Sequence, residues 1–415
     1  MKVVVVGAGI AGLTAALRLH QEGIDCELYE QSARIGELGV GFNALPHAIK
    51  ELAELDLLDK LDEAGVRTRE LIYAHRLGHE IMRVPCGIEA GFSFPQFSLH
   101  RGRLQGVLWR AVRERLGERA VRTGHRLVGF EQDAGGVRAR FADPHGGAPG
   151  TVDGDVLVGA DGIHSVVRSV LFPGEGAPRW NGVMMWRGAT EWPEFGTGLS
   201  VIIAGGTAAK LVIYPIAEGR APGTKLTNWA ICVRTGQDGD PPPERQDWSR
   251  PADPGVLTRH VDRFRIPFVD HAGMIRSTER CFEFPMCDRD PLPWWSQGRV
   301  TLLGDAAHPM YPMGSNGAGQ AILDATSLSR RLASHRDPAE GLRAYQDDRL
   351  AATSEVVVRN RTGGPERVID EVERRAPEGF SNLEDVIDAA ALEAIVTGYA
   401  KASGSSQEQV NTRDR

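Results

Sequence analysis

The chain has 415 residues, enough for two or three domains, in a composition ordinary for a globular protein. Its net charge of −7 leaves no basic surplus to hold nucleic acid, and no apolar run is long enough to span a bilayer. The five cysteines, Cys26, Cys86, Cys232, Cys281 and Cys287, form no CxxC pair and no zinc spacing, so no metal and reduced thiols in a cytoplasmic protein are expected.

Residues 2–6 are a short apolar run that predicts a strand buried on both faces, beginning too early to leave room for a signal peptide. The turn Gly7-Ala8-Gly9-Ile10-Ala11-Gly12 follows, then a helix over 13–21 and a second strand over 25–30, a βαβ unit. Residues 46–61 carry apolar positions at helical spacing, with Pro46 suited to the first turn, and 104–116 predicts another helix. Strand character surrounds the turn Asp133-Ala134-Gly135-Gly136, and 155–159 and 300–303 predict buried strands. From 182 to 285, strand-like stretches at 184–188, 211–216 and 226–234 alternate with Gly and Pro clusters, which predicts an antiparallel sheet inserted into an α/β framework. Residues 236–254, rich in Pro and Asp, predict a loop. An apolar helix is expected over 317–332, more helix from 337, and a frayed tail after 402.

The Gly7–Gly12 turn sits between strand and helix. Gly7 permits the tight bend, Gly9 lets backbone approach a pyrophosphate, and Gly12 lets helix and strand pack closely. Ile10 and Ala11, within the turn, are also expected to contact the cofactor. Glu30, ending the second strand, is placed to accept hydrogen bonds from ribose hydroxyls. This fingerprint does not separate FAD from NAD. Two later segments bear on the choice: a strand ending in Asp161-Gly162, and Gly304-Asp305 followed by a Pro/Gly loop through Pro312 and Gly314 into the helix that begins at Gly317 and Ala318. A long ligand suits both. Asp305 can bind ribityl hydroxyls, and the helix dipole can stabilise an anionic reduced flavin.

These three motifs, in order across about 330 residues, resemble the class A flavoprotein monooxygenases, the para-hydroxybenzoate hydroxylase-like family. The resemblance implies non-covalent FAD, transient NADH or NADPH, molecular oxygen, and aromatic hydroxylation through a C4a-hydroperoxyflavin. It implies that Glu30 binds the adenosine ribose, that Arg101 holds the pyrophosphate with Gln105, and that Asp305 meets the ribityl region. Asp161 would lie near both flavin and nicotinamide, and Gly41 and Leu127 would line the cofactor. Many relatives carry Asn where this chain has Gly319, so backbone would supply that contact. A narrower set resembles the phenazine carboxylate hydroxylases of pyocyanin biosynthesis: Gly39-Val40-Gly41, Phe94-Pro95-Gln96, Ser98 to Gly102, Met185-Trp186-Arg187-Gly188, Asp288 to Pro293, and Met310 to Gly314. Those enzymes replace a carboxylate with hydroxyl on an N-heteroaromatic acid, which implies a bulky aromatic or heteroaromatic substrate here.

The expected architecture is α/β. A Rossmann-like FAD-binding domain (1–72, 96–181, 282–360) carries an inserted, mainly antiparallel substrate sheet (73–95, 182–281). A helical segment (361–401) and a flexible tail (402–415) follow. Trp186, Arg187, Tyr214, Tyr311, Pro312 and Met313 are the candidate substrate contacts, and Tyr214, Arg187 and His308 the candidates for a catalytic part. Each aromatic could instead be sheet packing. Arg187 could anchor a substrate carboxylate or form a buried structural pair. His308 could simply orient its loop. A small-molecule substrate, no nucleic acid or membrane partner, and a monomer or homodimer are expected. Two alternatives stay open: a flavin dehydrogenase or reductase on the same scaffold, and a flavoprotein that only sequesters an aromatic ligand.

Overall fold

The computed structural model describes residues 1–34, 41–143 and 150–412. Val3, Val4, Val5 and Val6 have no face suited to water, and they form the middle of a five-stranded sheet. Its order is Val300–Leu302, Val156–Gly159, Lys2–Val6, Asp25–Tyr29, Val121–Arg122, all parallel. The order runs outward in both directions from Lys2–Val6, so a crevice opens at the carboxyl ends of that strand and Val156–Gly159. The helices Ile10–Gln21 and Gly317–Ser334 pack together over the sheet. Gly12 makes this seating possible, since a Cβ there would lie 1.9 Å from Gly7 O.

The expected inserted sheet has seven strands. In spatial order they are Cys281–Asp288, Arg179–Pro193, Thr224–Arg234, Ala209–Glu218, Ser200–Ala204, Glu70–Ala74 and Glu80–Pro85. All pairs are antiparallel except Ser200–Ala204 with Glu70–Ala74. Alternation along the strands gives two apolar faces. Trp186, Leu211, Ile213, Trp229 and Ile231 point outward, beneath the short helices Pro254–Val261 and His271–Arg276. Met185, Cys232 and Phe284 point inward, onto Tyr311 and Met313. A small sheet of Gly41–Ala44, Gln96–His100 and Gly65–Thr68 lies against the inserted sheet.

Several expectations shift. The boundary at 72 cuts the strand Glu70–Ala74, and the one at 281 cuts Cys281–Asp288. Residues 46–61 are not one helix. Pro46–Ala53 and Leu58–Ala64 are separated by Asp56 at φ +55°, a left-handed conformation that Asp tolerates better than most residues. The tail is not frayed through its described part. Gln407–Asn411 is a helix opened by a Ser406/Gln409 capping box, with Val410 buried. Gln407 and Asn411 side-chain amides donate to Gly91 O at 2.7 and 2.9 Å, and Lys50 Nζ donates to Thr412 O at 3.0 Å. Gly39 and Val40 lie outside the described residues. Among the described residues, no helix is long and apolar enough to cross a membrane.

Candidate active site

Where Lys2–Val6 ends, Gly7 bends the chain at φ +106° and its N–H donates to Tyr29 O at 2.8 Å. A Cβ at Gly7 would sit 2.3 Å from Ala160 O, whereas a Cβ at Gly9 would meet nothing within 4 Å. Gly9 faces a cleft of about 450 Å³. No side chain caps the helix that Ile10 and Ala11 begin, so its first N–H groups can take an anion.

The cleft brings together Glu30, Arg101, Leu127, Asp161, Gly162 and Asp305, residues up to 275 positions apart in the chain. Glu30 is fixed by accepting Ala8 N–H at 2.9 Å and Ser32 N–H at 2.8 Å, which leaves lone pairs for hydroxyls. Arg101 opens the helix Arg101–Leu116 and makes no ion pair among the described residues. Asp305 lies in the single turn Gly304–Ala306, and its carboxylate has no protein partner among the described residues. Gly304, at φ +59°, lets that turn approach Ala11 and Ala321, whose Cβ atoms would lie 3.0 and 3.1 Å from a Cβ added there. An open glycine cradle, an uncapped helix, a cation without an ion pair and a carboxylate without a partner among the described residues suit a dinucleotide with phosphates and polyol. The residues fit FAD.

Other expected cofactor residues also make contacts within the protein. Asp161 caps the helix Val166–Leu171: its carboxylate accepts Ser165 Oγ–H at 2.5 Å and the Val166 and Val167 N–H groups at 2.7 and 3.3 Å. It lines the cleft with Oδ2 taken by the helix N–H groups, while Oδ1 accepts from Ser165 alone. The Gln105 amide donates to Ala8 O at 2.8 Å and braces the glycine turn. Gly41 is wedged against the inserted sheet, where a Cβ would come within 2.7–2.8 Å of Ile216, Tyr214 and Asn228. Its N–H donates to Asn228 Oδ1 at 2.9 Å. Gly314, at φ +63°, faces the C-terminal helices, with a Cβ position 2.7 Å from Tyr399. Gly317 and Ala318 begin the Gly317–Ser334 helix, while Pro309 and Met310, just before exposed Pro312, reach the cleft. Gly319 faces His47, whose Nε2 would be 2.7 Å from a Cβ there, so an Asn would displace that imidazole.

Two expected site residues are corrected by geometry. Trp186 is on the outer face of the sheet, its Nε1–H donating to Glu283 at 2.9 Å and its ring against His260. Adjacent residues of a strand point to opposite faces, so Trp186 and Arg187 cannot share a pocket. His308 turns away from the cleft into the protein: its Nε2 meets Asp324 at 2.5 Å, and Asp324 also accepts Arg349 Nε–H at 2.8 Å. Through that contact it anchors the loop.

Arg187 is the conspicuous group on the inner face. It is 8% exposed, yet its Nε and Nη2 have no hydrogen-bond partner among the described residues. Burial, reinforced by the nearby charge of Arg101, brings it down to about 9, which leaves it a cation at neutral pH. Its guanidinium lies 4.9 Å from the Trp248 ring and 5.1 Å from Phe284. Trp248 carries Arg101 5.2 Å away and lines the cleft, so one indole joins the two cationic groups. Sequence reasoning missed Trp248. A large aromatic in a Pro/Asp-rich loop marks a residue that packs on something distant, but not what it packs on. Tyr214 faces inward beside them, and burial pushes its phenol well above the ordinary range, so it stays protonated. Tyr311 and Met313 pack on Met185, Cys232 and Phe284 on the same inner face.

The family model described as "FAD binding domain" matches residues 1–254 and 280–360. The chain belongs to this family of flavoprotein hydroxylases. It is 39% identical to a phenazine 1,6-dicarboxylic acid hydroxylase of Lysobacter antibioticus, over 98% of each chain. It is 33% identical to 3-hydroxybenzoate 6-hydroxylase 1 of Aquipseudomonas alcaligenes, over 85% of this chain and 86% of the relative. Among solved structures, it resembles Klebsiella pneumoniae HpxO complexed with FAD and uric acid at a TM-score of 0.77 and 25% identity, covering 98% of this chain and 97% of that one. This member of the family is thus an FAD-dependent, NAD(P)H-driven aromatic monooxygenase, with one glycine fingerprint and an inserted sheet facing its cofactor cleft.

Proposed function

We propose that the substrate is a planar aromatic or N-heteroaromatic acid, held by Arg187 on the inner face of the inserted sheet. The observation that carries this is the buried Arg187 guanidinium with Nε and Nη2 unpartnered among the described residues. Nε–H and Nη2–H form the side-on fork that matches a carboxylate with two parallel hydrogen bonds. The aromatic walls, Trp248, Phe284, Tyr214 and Tyr311, suit a flat ring system.

Bound FAD, once reduced by NAD(P)H, supplies the activation of dioxygen. Glu30, Arg101 and Asp305 would hold it, with its phosphates on the Gly9 turn and the Ile10–Gln21 helix end. The sheet and the Tyr311–Met313 stretch exclude water, which keeps oxygen transfer ahead of peroxide loss. Tyr214, kept protonated, can donate a hydrogen bond but cannot serve as a base. The balance is ArH + O2 + NAD(P)H + H+ giving ArOH + H2O + NAD(P)+. Where hydroxyl replaces a carboxylate, CO2 leaves in place of the ring proton. The relative that acts on phenazine 1,6-dicarboxylic acid and the one that acts on 3-hydroxybenzoate both have acidic substrates, which supports this reading.

The test is oxygen uptake with product mass spectrometry over a panel including 3-hydroxybenzoate and phenazine-1,6-dicarboxylate. Oxygen in the product of an acid, with less from its carboxamide, supports the reading. Loss of hydrogen without oxygen gain would mark a dehydrogenase, and unchanged ligand a sequestering protein.

A further inference from the structure

The stretch from Tyr311 to Asn316 carries residues expected to face substrate, yet its backbone is held from the other side. Asn360 Nδ2 donates to Tyr311 O at 2.8 Å. The Tyr399 hydroxyl is 3.1 Å from Met313 O and 2.7 Å from Asn360 Oδ1, so its proton is shared between two acceptors. It also accepts Asn316 Nδ2–H at 3.2 Å. Gly314 N–H donates to Glu366 Oε1 at 3.2 Å, while the other oxygen of Glu366 pairs with Lys210 Nζ. Both members of that ion pair are buried, and Lys210 stands on the inner face of the inserted sheet. Gln320, one turn into the following helix, donates to Ser403 O at 2.8 Å.

These contacts come from the helices Pro338–Arg361 and Ala389–Ala402 and from the turn Gly364–Glu366. The family match ends at residue 360, so Glu366, Tyr399 and Ser403 lie beyond it. Gly314 at φ +63° and Ser315 at φ +56° are both left-handed, and a non-glycine residue holds that conformation only where its surroundings fix it. A buried ion pair is also a poor source of net stability, yet removing one partner is strongly destabilising because the other charge is left buried.

We infer that Tyr399 and Glu366 are positioning residues, which hold the Tyr311–Asn316 stretch against the inserted sheet so that oxygen transfer outruns peroxide release. The inference rests on the proposed function. It assigns the C-terminal helices a part in coupling: NAD(P)H oxidation would proceed without them, but product would not keep pace. Lys210 ties the stretch to the substrate face through Glu366, so sheet and loop move as one piece.

The experiment uses the FAD-loaded full chain and the variants Tyr399→Phe, Glu366→Gln and Glu366→Ala, with exposed Thr397→Ala on the same helix as control. Product and peroxide per NAD(P)H are measured at saturating 3-hydroxybenzoate or phenazine-1,6-dicarboxylate, whichever wild type turns over. Hydrogen exchange is followed over 311–316 and over Lys2–Val6. Tyr399→Phe should raise peroxide per turnover roughly fivefold, the ratio one neutral hydrogen bond is worth, with NAD(P)H oxidation little changed. Glu366→Gln keeps an acceptor for Gly314 and should lie between wild type and Glu366→Ala. Exchange over 311–316 should quicken by a similar factor, with Lys2–Val6 unchanged. Unchanged exchange over 311–316 overturns the inference whatever the activity. Faster exchange with wild-type coupling overturns it too, because the contacts would then be merely structural. If wild type forms no product from any acid, the proposed function fails, and exchange still decides whether these contacts hold the loop.

Discussion

Replacing Arg187 by Met should make the ligand-free protein more stable and the acid substrate bind far more weakly. A buried charge left without its partner costs about 3–5 kcal/mol. The rings of Trp248 and Phe284, at 4.9 and 5.1 Å, offset part of this. Each such contact is worth roughly 0.5–2 kcal/mol. Met fills similar length without charge, so a net gain of about 1–3 kcal/mol is expected, a rise of a few degrees in Tm. The same change removes the Nε/Nη2 fork. Losing a desolvated charge pair costs about 2–5 kcal/mol, or roughly 30-fold to several thousand-fold in Kd. A neutral carboxamide of the same ring should lose much less. Thermal unfolding of the FAD-loaded protein and a titration with acid and amide decide it. A less stable variant that weakens acid and amide equally would refute the anchor, and Arg187 would then be a structural residue.

Asp305→Ala should release FAD about 10- to 150-fold more readily, from loss of charge-assisted bonds worth roughly 1.5–3 kcal/mol. Equilibrium dialysis checks it, with circular dichroism to confirm folding. Trp186→Phe should leave KM untouched and cost about 1 kcal/mol of stability for the bond to Glu283, read by denaturant unfolding. A large KM change would put Trp186 back in the pocket. Burial, with Arg349 adding to it, pushes His47 from its ordinary 6.5 down to about 3. The unfolded chain therefore takes the proton first as pH falls. The stability this neutral imidazole allows is full above pH 6.5 and is lost progressively toward pH 3, by up to about 1.4 kcal/mol per unit. His47→Gln should flatten the stability profile between pH 6.5 and 5. An unchanged slope would show that another group sets it.

The sequence made the cofactor cleft legible because its parts are local. Gly7, Gly9 and Gly12 act within one turn, and Glu30 lies one strand away, so spacing alone reports their geometry. Asp305 was equally readable at a strand end. The substrate side was not, because it depends on which face of a strand each residue takes and on what covers it. Naming Trp186 and Arg187 together overlooked the period of two, which the sequence does carry. Trp248 was hidden by long-range folding: nothing near residue 248 tells that its loop returns between Arg101 and Arg187. The two readings of His308 stayed open in the sequence because its partner, Asp324, is reached only once the following helix folds back. The docked Gln407–Asn411 helix escaped because its Ser406/Gln409 capping box sits in a stretch otherwise rich in Gly and Ser.

The most direct measurement is isotope incorporation: FAD-loaded protein turns over an aromatic acid with NAD(P)H under labelled dioxygen, and the product is weighed. One labelled oxygen on the aromatic ring per NAD(P)H oxidised is expected in coupled turnover. Product whose new oxygen comes from water, or NAD(P)H consumed with all oxygen released as peroxide at saturating acid, would contradict it.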